Sequence, residues 1–440
     1  MPLTGTSPRW RALGRRVHAH RKLLTVIGVA ELVAVIMVSA INPHAHIDGE
    51  VYQLGARAWL SGEDIYRNLP ATDSGLHLPF IYPPFAAIAF TPLALVPKPV
   101  AITMIMVVTH LSLLATLYVV LGTAAFLTEH RDKVLMIAAA ALPPATITEP
   151  VIETITYAQI NVVLMALVAI DCLWRIGGDR RLPYPRGMLI GIAAGIKLTP
   201  AVFLLFFLLR KDYRAIATTL LTFLVTVLIG LVLAFDSAKR FWLHEMLASG
   251  EVSFGPRFEG TAAIYAGNQS LRSLLAKSQV PAPWLTVVFG LLALAMLAVA
   301  VLGMVHTLRR QDPPMALTIN GILGLLVSPI SWSHHWVWAV PGLVLLLGAA
   351  LVRRHWPLLV AATLVAEFFV LGPHWTVPQG EGKELTWNFF EHLIGNAYVY
   401  FGVAFLLYHF HGWWHARKVA PVPADGSATV APATSRPQTR

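Results

Sequence analysis

Apolar runs of about 16 to 24 residues, each bounded by charges or prolines, recur from Leu23 to the Tyr408 region, and each is close to the roughly 20 helical residues that cross about 30 Å of hydrocarbon. Runs of this kind leave few folds open. In lipid the backbone must satisfy its own hydrogen bonds, and a continuous apolar run does so only as a helix. Composition points the same way, since 56% hydrophobic and 13% charged residues fall outside the range of soluble domains. The expected fold class is therefore all-α, a polytopic transmembrane helical bundle. The net charge of +10 sits in short Arg and Lys clusters between apolar runs, not along one soluble face, so it sets topology and argues against a nucleic-acid partner. The single cysteine, Cys172, lies inside an apolar run, which removes disulfide frameworks and cysteine metal sites from consideration.

Basic clusters orient the runs. Arg9, Arg11, Arg15, Arg16, Arg21 and Lys22 precede the first run, Leu23 to Ile41, and mark residues 1–22 as a cytoplasmic anchor; no clear small-residue cleavage pattern follows. The first span then delivers Asn42 to Phe80, with Asp48, Glu50, Glu63, Asp64 and Asp73, to the far side as an acidic loop. Among Tyr82 to Val96, Val100 to Leu127 and Leu135 to Ile147, two must cross, because the run ending at Trp174 is followed by Arg175, Arg180, Arg181 and Arg186. Gly187 to Leu209 carries basic residues at both ends and a break at Lys197-Leu198-Thr199-Pro200. Two half-helices that enter and return keep both ends cytoplasmic, so a re-entrant element is expected there. Arg309 and Arg310, Arg353 and Arg354, and Arg417 and Lys418 then fall on the cytoplasmic side without conflict. Outside lie Asp236 to Pro283, Ser331 to Trp336 and Gly372 to Trp387. About ten full spans are expected, with two or three shorter apolar elements beside them. Residues 23–418 form the membrane domain, and the Ala, Pro, Thr and Ser-rich residues 419–440 read as a disordered cytoplasmic tail.

Polar residues concentrate where these runs break. Asp48 precedes a helix-like stretch with Tyr52, Gly55 and Trp59; it is placed either to cap that helix or to act as a general base near the membrane surface. His334 and His335 sit in a turn flanked by Trp332 and Trp336, with no third ligand at metal spacing, so contact with a phosphate or sugar hydroxyl is the better functional reading. Lys197 is a cation at membrane depth, either neutralising a lipid phosphate or snorkelling to an interface. Gln159, Asn161, Asn268 and Gln269 open or close helices and can bind sugars or cap.

Taken in order, Asp48-Gly49-Glu50-Val51-Tyr52 with Gly55-Ala56-Arg57-Ala58-Trp59-Leu60, Tyr82-Pro83-Pro84, Gln159-Ile160-Asn161, Gly195-Ile196-Lys197-Leu198-Thr199-Pro200, Asn268-Gln269-Ser270 and Ser331-Trp332-Ser333-His334-His335-Trp336 resemble glycosyltransferase family 87. The likeness is to the actinobacterial, mainly mycobacterial, polyprenyl-phosphate-mannose-dependent α-(1→2)-mannosyltransferases, from about Asp48 to the Trp387 region. The resemblance implies a GT-C type fold with extracytoplasmic active-site loops in the plasma membrane. It also implies a polyprenyl-phosphate-mannose donor in the bilayer, with no further cofactor or metal. The implied acceptor is a mannoside glycolipid, either a phosphatidylinositol mannoside or lipomannan or arabinomannan, and the implied outcome is inversion. Asp48 becomes the base for the acceptor 2-hydroxyl, and His334, His335 and Lys197 bind the donor phosphate. Gln159, Asn161, Asn268, Gln269, Arg57, Tyr82 and Trp332 become sugar or acceptor contacts. Glu50 is a second carboxylate nearby, and the sequence leaves its share in the base role open.

A transporter or flippase of a lipid-linked sugar is the rival reading, because broken helices and intramembrane lysines belong to transporters too. No internal repeat supports it, and Lys197-Leu198-Thr199-Pro200 has no partner in the second half. A non-catalytic membrane scaffold is the third reading, under which Asp48 and the histidine pair would be replaceable.

Overall fold

The computed structural model describes residues 21–41, 46–67, 69–174, 183–245 and 262–419. The rest of the basic N-terminal anchor, the tail from 420, and Arg175, Arg180, Arg181 and Arg257 lie outside the described residues. The helices in chain order are α1 (Arg21–Ile41), α2 (Ile47–Leu60), α3 (Pro84–Ala89), α4 (Thr91–Ala94), α5 (Lys98–Thr123), α6 (Val134–Thr146), α7 (Glu149–Thr156) and α8 (Asn161–Leu173). There follow α9 (Met188–Ile196), α10 (Leu204–Leu209), α11 (Tyr213–Leu233), α12 (Phe235–Arg240), α13 (Leu271–Lys277), α14 (Ala282–Arg309) and α15 (Pro313–Val327). The chain closes with α16 (Ala339–Val352), α17 (Trp356–Leu371), α18 (Phe389–Gly395) and α19 (Ala397–Val419). Short 3-10 turns at Thr199–Phe203 and Ser333–Trp338 matter for the site. Among the described residues β-pairing amounts to one isolated bridge, Asn268 to Trp332.

Glycines fix the direction of the broken element. A Cβ on Gly187 would meet the Ala215 carbonyl at 2.2 Å, one on Gly191 would meet Thr222 at 2.6 Å, and one on Gly195 would meet Thr226 at 2.3 Å. Both sequences ascend together, so α9 and α11 run parallel and pack closely through small residues every fourth position. The Thr219 hydroxyl donates to the Gly187 carbonyl at 3.0 Å along the same seam. Two parallel neighbours joined by Thr199 to Asp212 require that α10 return to its starting face. Arg186 and Asp212 meet there at 3.6 Å. The expected re-entrant hairpin is present, with Lys197 in an extended conformation (φ −148°, ψ 129°) at its tip.

Among the described residues the bundle is built on the apolar helices α1, α5, α6, α8, α11, α14, α15, α16, α17 and α19. Five helices, counting Ser333–Val352 and Trp356–Trp375 with their adjoining 3-10 turns, are long and apolar enough to span alone, and two bent pairs pass together, among the described residues. The expected count of about ten full spans is thus corrected to five helices of spanning length, or seven with each bent pair taken as one span, among the described residues. Three apolar helices are short for a local reason: α6, α8 and α15 have 13, 13 and 15 residues, and polar segments enter the bundle where α6 and α15 end and α8 begins. Gly195 lies beside Thr226, and α11 continues seven residues to Leu233, so the hairpin tip lies about 10 Å below the end of that helix at 1.5 Å per residue. The bundle therefore has a recess at the face opposite the basic loops. Tyr82 to Val96 crosses nothing; α3 and α4 roof that recess beside α2.

Candidate active site

The floor and walls of the recess come from elements far apart in sequence. α2 supplies Asp48 at its first turn, and the Gly49 amide donates to the Tyr157 carbonyl at 3.1 Å, pinning that turn to the α7–α8 junction. Gly49 has to be glycine here, since a Cβ would meet Ala158 and Ile102 at 2.8 Å. Gln159 Nε2 donates to Asp48 Oδ2 at 3.0 Å and to the Tyr82 hydroxyl at 3.2 Å. Its Oε1 accepts from the Tyr52 hydroxyl at 2.7 Å and from the Ile160 amide at 3.2 Å. A side-chain amide has two donors and two acceptor sites, so Gln159 is saturated and has nothing left for a sugar. Its place is corrected from sugar contact to brace of the Asp48 carboxylate. Tyr52 and Tyr82, fully buried and 3.3 Å apart, hold that brace. The half-buried Asp48 carboxyl is pushed up to about 6, because desolvation outweighs the Gln159 hydrogen bond and the attraction of Lys197.

Lys197 faces Asp48 from the hairpin tip. Its Nζ donates to Asn161 Oδ1 at 3.0 Å and lies 3.2 Å from His335 Nε2 and 5.9 Å from the centre of the Tyr82 ring. An ammonium only donates, so His335 Nε2 accepts and its Nδ1 carries the ring proton. Asn161 Nδ2 donates to the His334 carbonyl at 3.1 Å, so Asn161 too is a brace, joining Lys197 to the Ser333–Trp338 turn. The His334 ring stands edge-on to its neighbour His335 at 4.7 Å and to Tyr157 at 5.3 Å, and its carbonyl also accepts from Thr154 at 3.1 Å.

Other expected residues are not brought to the cluster. Asn268 and Gln269 are fully buried. The Ser331 amide donates to Asn268 Oδ1 at 3.0 Å, the Gln269 amide donates to the Ser331 carbonyl at 2.7 Å, and Gln269 Nε2 donates to the carbonyls of Ala266 and Gly395. Both clamp the histidine turn in place of touching sugars. Arg57 is exposed, nine residues along α2 from Asp48, which at 100° per residue is the opposite side of the helix. Trp332 is half-buried beside Tyr265, with ring centres 6.1 Å apart. Glu50 is engaged elsewhere: it pairs with Lys98 and accepts from the Asp73 amide at 2.8 Å. Glu50 thus has partners of its own, while Asp48 carries the Gln159 brace.

The sequence reading missed Tyr52 as a site residue, Tyr157 near Asp48, Glu153 beside Tyr157, and Lys277. Lys277 is fully buried and donates to the Asn268 carbonyl at 2.8 Å and to Asn396 at 3.2 Å. The local sequence, Leu271-Arg272-Ser273-Leu274-Leu275-Ala276-Lys277, gives no sign that this lysine is buried.

A carboxylate braced opposite a lysine and a histidine, set among helices long and apolar enough to cross a membrane, defines a polytopic membrane protein with a polar site within its helical bundle. The chain belongs to glycosyltransferase family 87, whose family model matches residues 80–329. It is 37% identical over 375 residues to the polyprenol-phosphate-mannose-dependent α-(1-2)-phosphatidylinositol mannoside mannosyltransferase of Mycobacterium tuberculosis, covering 82% of this chain and 83% of that protein. The Mycolicibacterium smegmatis protein of the same description is 36% identical over 381 residues, covering 82% of each chain. A polyprenol-phosphate-mannose-dependent α-(1-2)-phosphatidylinositol pentamannoside mannosyltransferase of Mycolicibacterium smegmatis is 32% identical over 348 residues, covering 78% of this chain and 79% of that protein. No solved structure matches the chain.

Proposed function

We propose that this glycosyltransferase moves mannose from polyprenyl-phosphate-mannose to the 2-hydroxyl of a mannoside on a phosphatidylinositol mannoside, inverting at the anomeric carbon. The observation that carries the reading is Asp48, braced by Gln159 and held across the recess from Lys197 and His335. Asp48 takes the proton of the acceptor hydroxyl as its oxygen bonds to the anomeric carbon. The bond from that carbon to the phosphate breaks on the opposite side, and polyprenyl phosphate leaves with the electron pair. Lys197 and His335 meet the charge that develops on the phosphate, so no general acid is needed. A base titrating near 6 is mostly ionised at neutral pH yet still basic enough to accept the proton.

The donor's chain has a place beside this site. An apolar groove of about 250 Å³ lies between α15, α16, α17 and α19, lined by Leu343, Val365, Phe369, Phe401 and Phe405, and it reaches Trp336, the residue after His335. An isoprenoid laid there brings its phosphate toward the histidine turn. The basic loops gather on the face opposite the recess, which supports a plasma-membrane protein with an extracytoplasmic site. Identity is higher to the relatives described for phosphatidylinositol mannoside than to the pentamannoside enzyme, which supports a phosphatidylinositol mannoside as the acceptor class. The test supplies purified protein with radiolabelled mannosyl phosphopolyprenol and phosphatidylinositol mannosides of defined length. An α-(1→2)-linked product is expected, and labelled donor that crosses vesicles without transfer would turn the account toward a flippase.

A further inference from the structure

Glu153 stands one helical turn after Glu149 on α7, and the two carboxylates differ in what surrounds them. Glu149 is buried and fully engaged: the Trp375 indole and the Tyr398 hydroxyl each donate to it at 2.8 Å, and His374 lies 3.4 Å away. Glu153 is half-buried and has no cation partner among the described residues; its hydrogen bond is to the Tyr157 hydroxyl. Like charges four residues apart weaken a helix, so this carboxylate is kept at some cost to stability.

Its surroundings point to a carbohydrate. The half-buried rings of Tyr157, Tyr265, Trp332 and Trp375 gather on this side of the recess, with Tyr265 6.1 Å from both tryptophans and Tyr157 bonded through its carbonyl to the residue after Asp48. Glu153 lies within electrostatic range of the Tyr265 hydroxyl, and its partner Tyr157 packs edge-on to His334 at 5.3 Å. Pyranose rings present apolar C–H faces that pack on aromatic rings and hydroxyls that donate to carboxylates.

We propose that Glu153, with Tyr157 and Tyr265, forms the acceptor subsite, accepting hydroxyl hydrogen bonds from the mannoside whose 2-hydroxyl faces Asp48. This rests on the transferase reading for its substrate class, while the binding claim stands on its own. The experiment uses the full chain in nanodiscs, comparing wild type with Glu153→Gln and Glu153→Asp. Rates are measured while acceptor and donor are varied in turn. Binding of a short octyl α-dimannoside is followed by calorimetry in an Asp48→Asn background.

The proposal expects Glu153→Gln to raise the acceptor KM about tenfold or more, the loss of one hydrogen bond to a charged group, with donor KM and kcat changing far less. The dimannoside affinity should fall by the same factor, and Glu153→Asp should recover part of it. The melting temperature should hold or rise, since a like-charge repulsion is relieved. A lower melting temperature with unchanged acceptor KM and unchanged dimannoside affinity would overturn the subsite and leave Glu153 as packing. If wild type transfers no mannose yet binds the dimannoside through Glu153, the subsite stands and the transferase reading falls.

Discussion

Replacing Gln159 with leucine isolates the brace from the base. The amide donates to the charged form of Asp48, and a hydrogen bond to a charged group is worth about 1.5–3 kcal/mol. At about 1.4 kcal/mol per tenfold change, its removal lifts the acid limb of activity from about 6 to between about 7 and 8. The sign follows from the role: the base works only when ionised, activity falls as pH drops through its pKa, and loss of an anion-stabilising donor raises that pKa. At pH 7 the ionised fraction falls from about nine-tenths to between about a half and a tenth, and more activity returns at pH 8.5. Gln159→Leu also leaves the Tyr52 and Tyr82 hydroxyls short of a partner, a stability loss of about 1–3 kcal/mol. The assay is kcat/KM for mannosyl transfer from pH 5 to 9, alongside thermal unfolding. An unchanged acid limb with activity retained would refute the reasoning, since the carboxylate would then not depend on its brace.

Three further outcomes follow from the same geometry. Lys197→Met should lower kcat by about 10²- to 10³-fold, as removal of a preorganised charge at a leaving group does, with single-turnover transfer as the readout. Gly195→Ala should destabilise the protein by about 1–3 kcal/mol and slow transfer, because its Cβ meets Thr226 at 2.3 Å and pushes the hairpin tip off α11; thermal melts and rates should move together. Asn268→Ala should cost about 1–3 kcal/mol by orphaning the buried Ser331 amide, with activity falling as the histidine turn loosens, read by unfolding and transfer assays on the same preparation.

The fold was legible where charge and apolar length carry the physics. Basic residues at both ends of Gly187 to Leu209 announced a returning element, and the glycine seam against α11 delivers it. Asp48, Lys197 and His335 were legible because ionisable residues at breaks in apolar runs are costly without a purpose. The division of labour among the amides was not. Gln159, Asn161, Asn268 and Gln269 look alike as polar residues at helix ends, and only the bundle decides that each is engaged by protein groups. Helix length misled for a related reason: α6, α8 and α15 are cut short by polar segments, so apolar runs of the bundle need not be full-length helices. Glu153 escaped notice because nothing in its local sequence separates it from Glu149; the difference lies in Trp375 and Tyr398, more than 200 residues away.

The most direct test of the account is mannosyl transfer by wild type, Asp48→Asn and Glu50→Gln proteins, each first shown to be folded and able to bind donor. Asp48→Asn keeps the shape of the side chain and removes its basicity, so the account predicts a loss of about 10²- to 10⁴-fold, while Glu50→Gln loses far less. Transfer by Asp48→Asn within a few fold of wild type, or a collapse confined to Glu50→Gln, would contradict it.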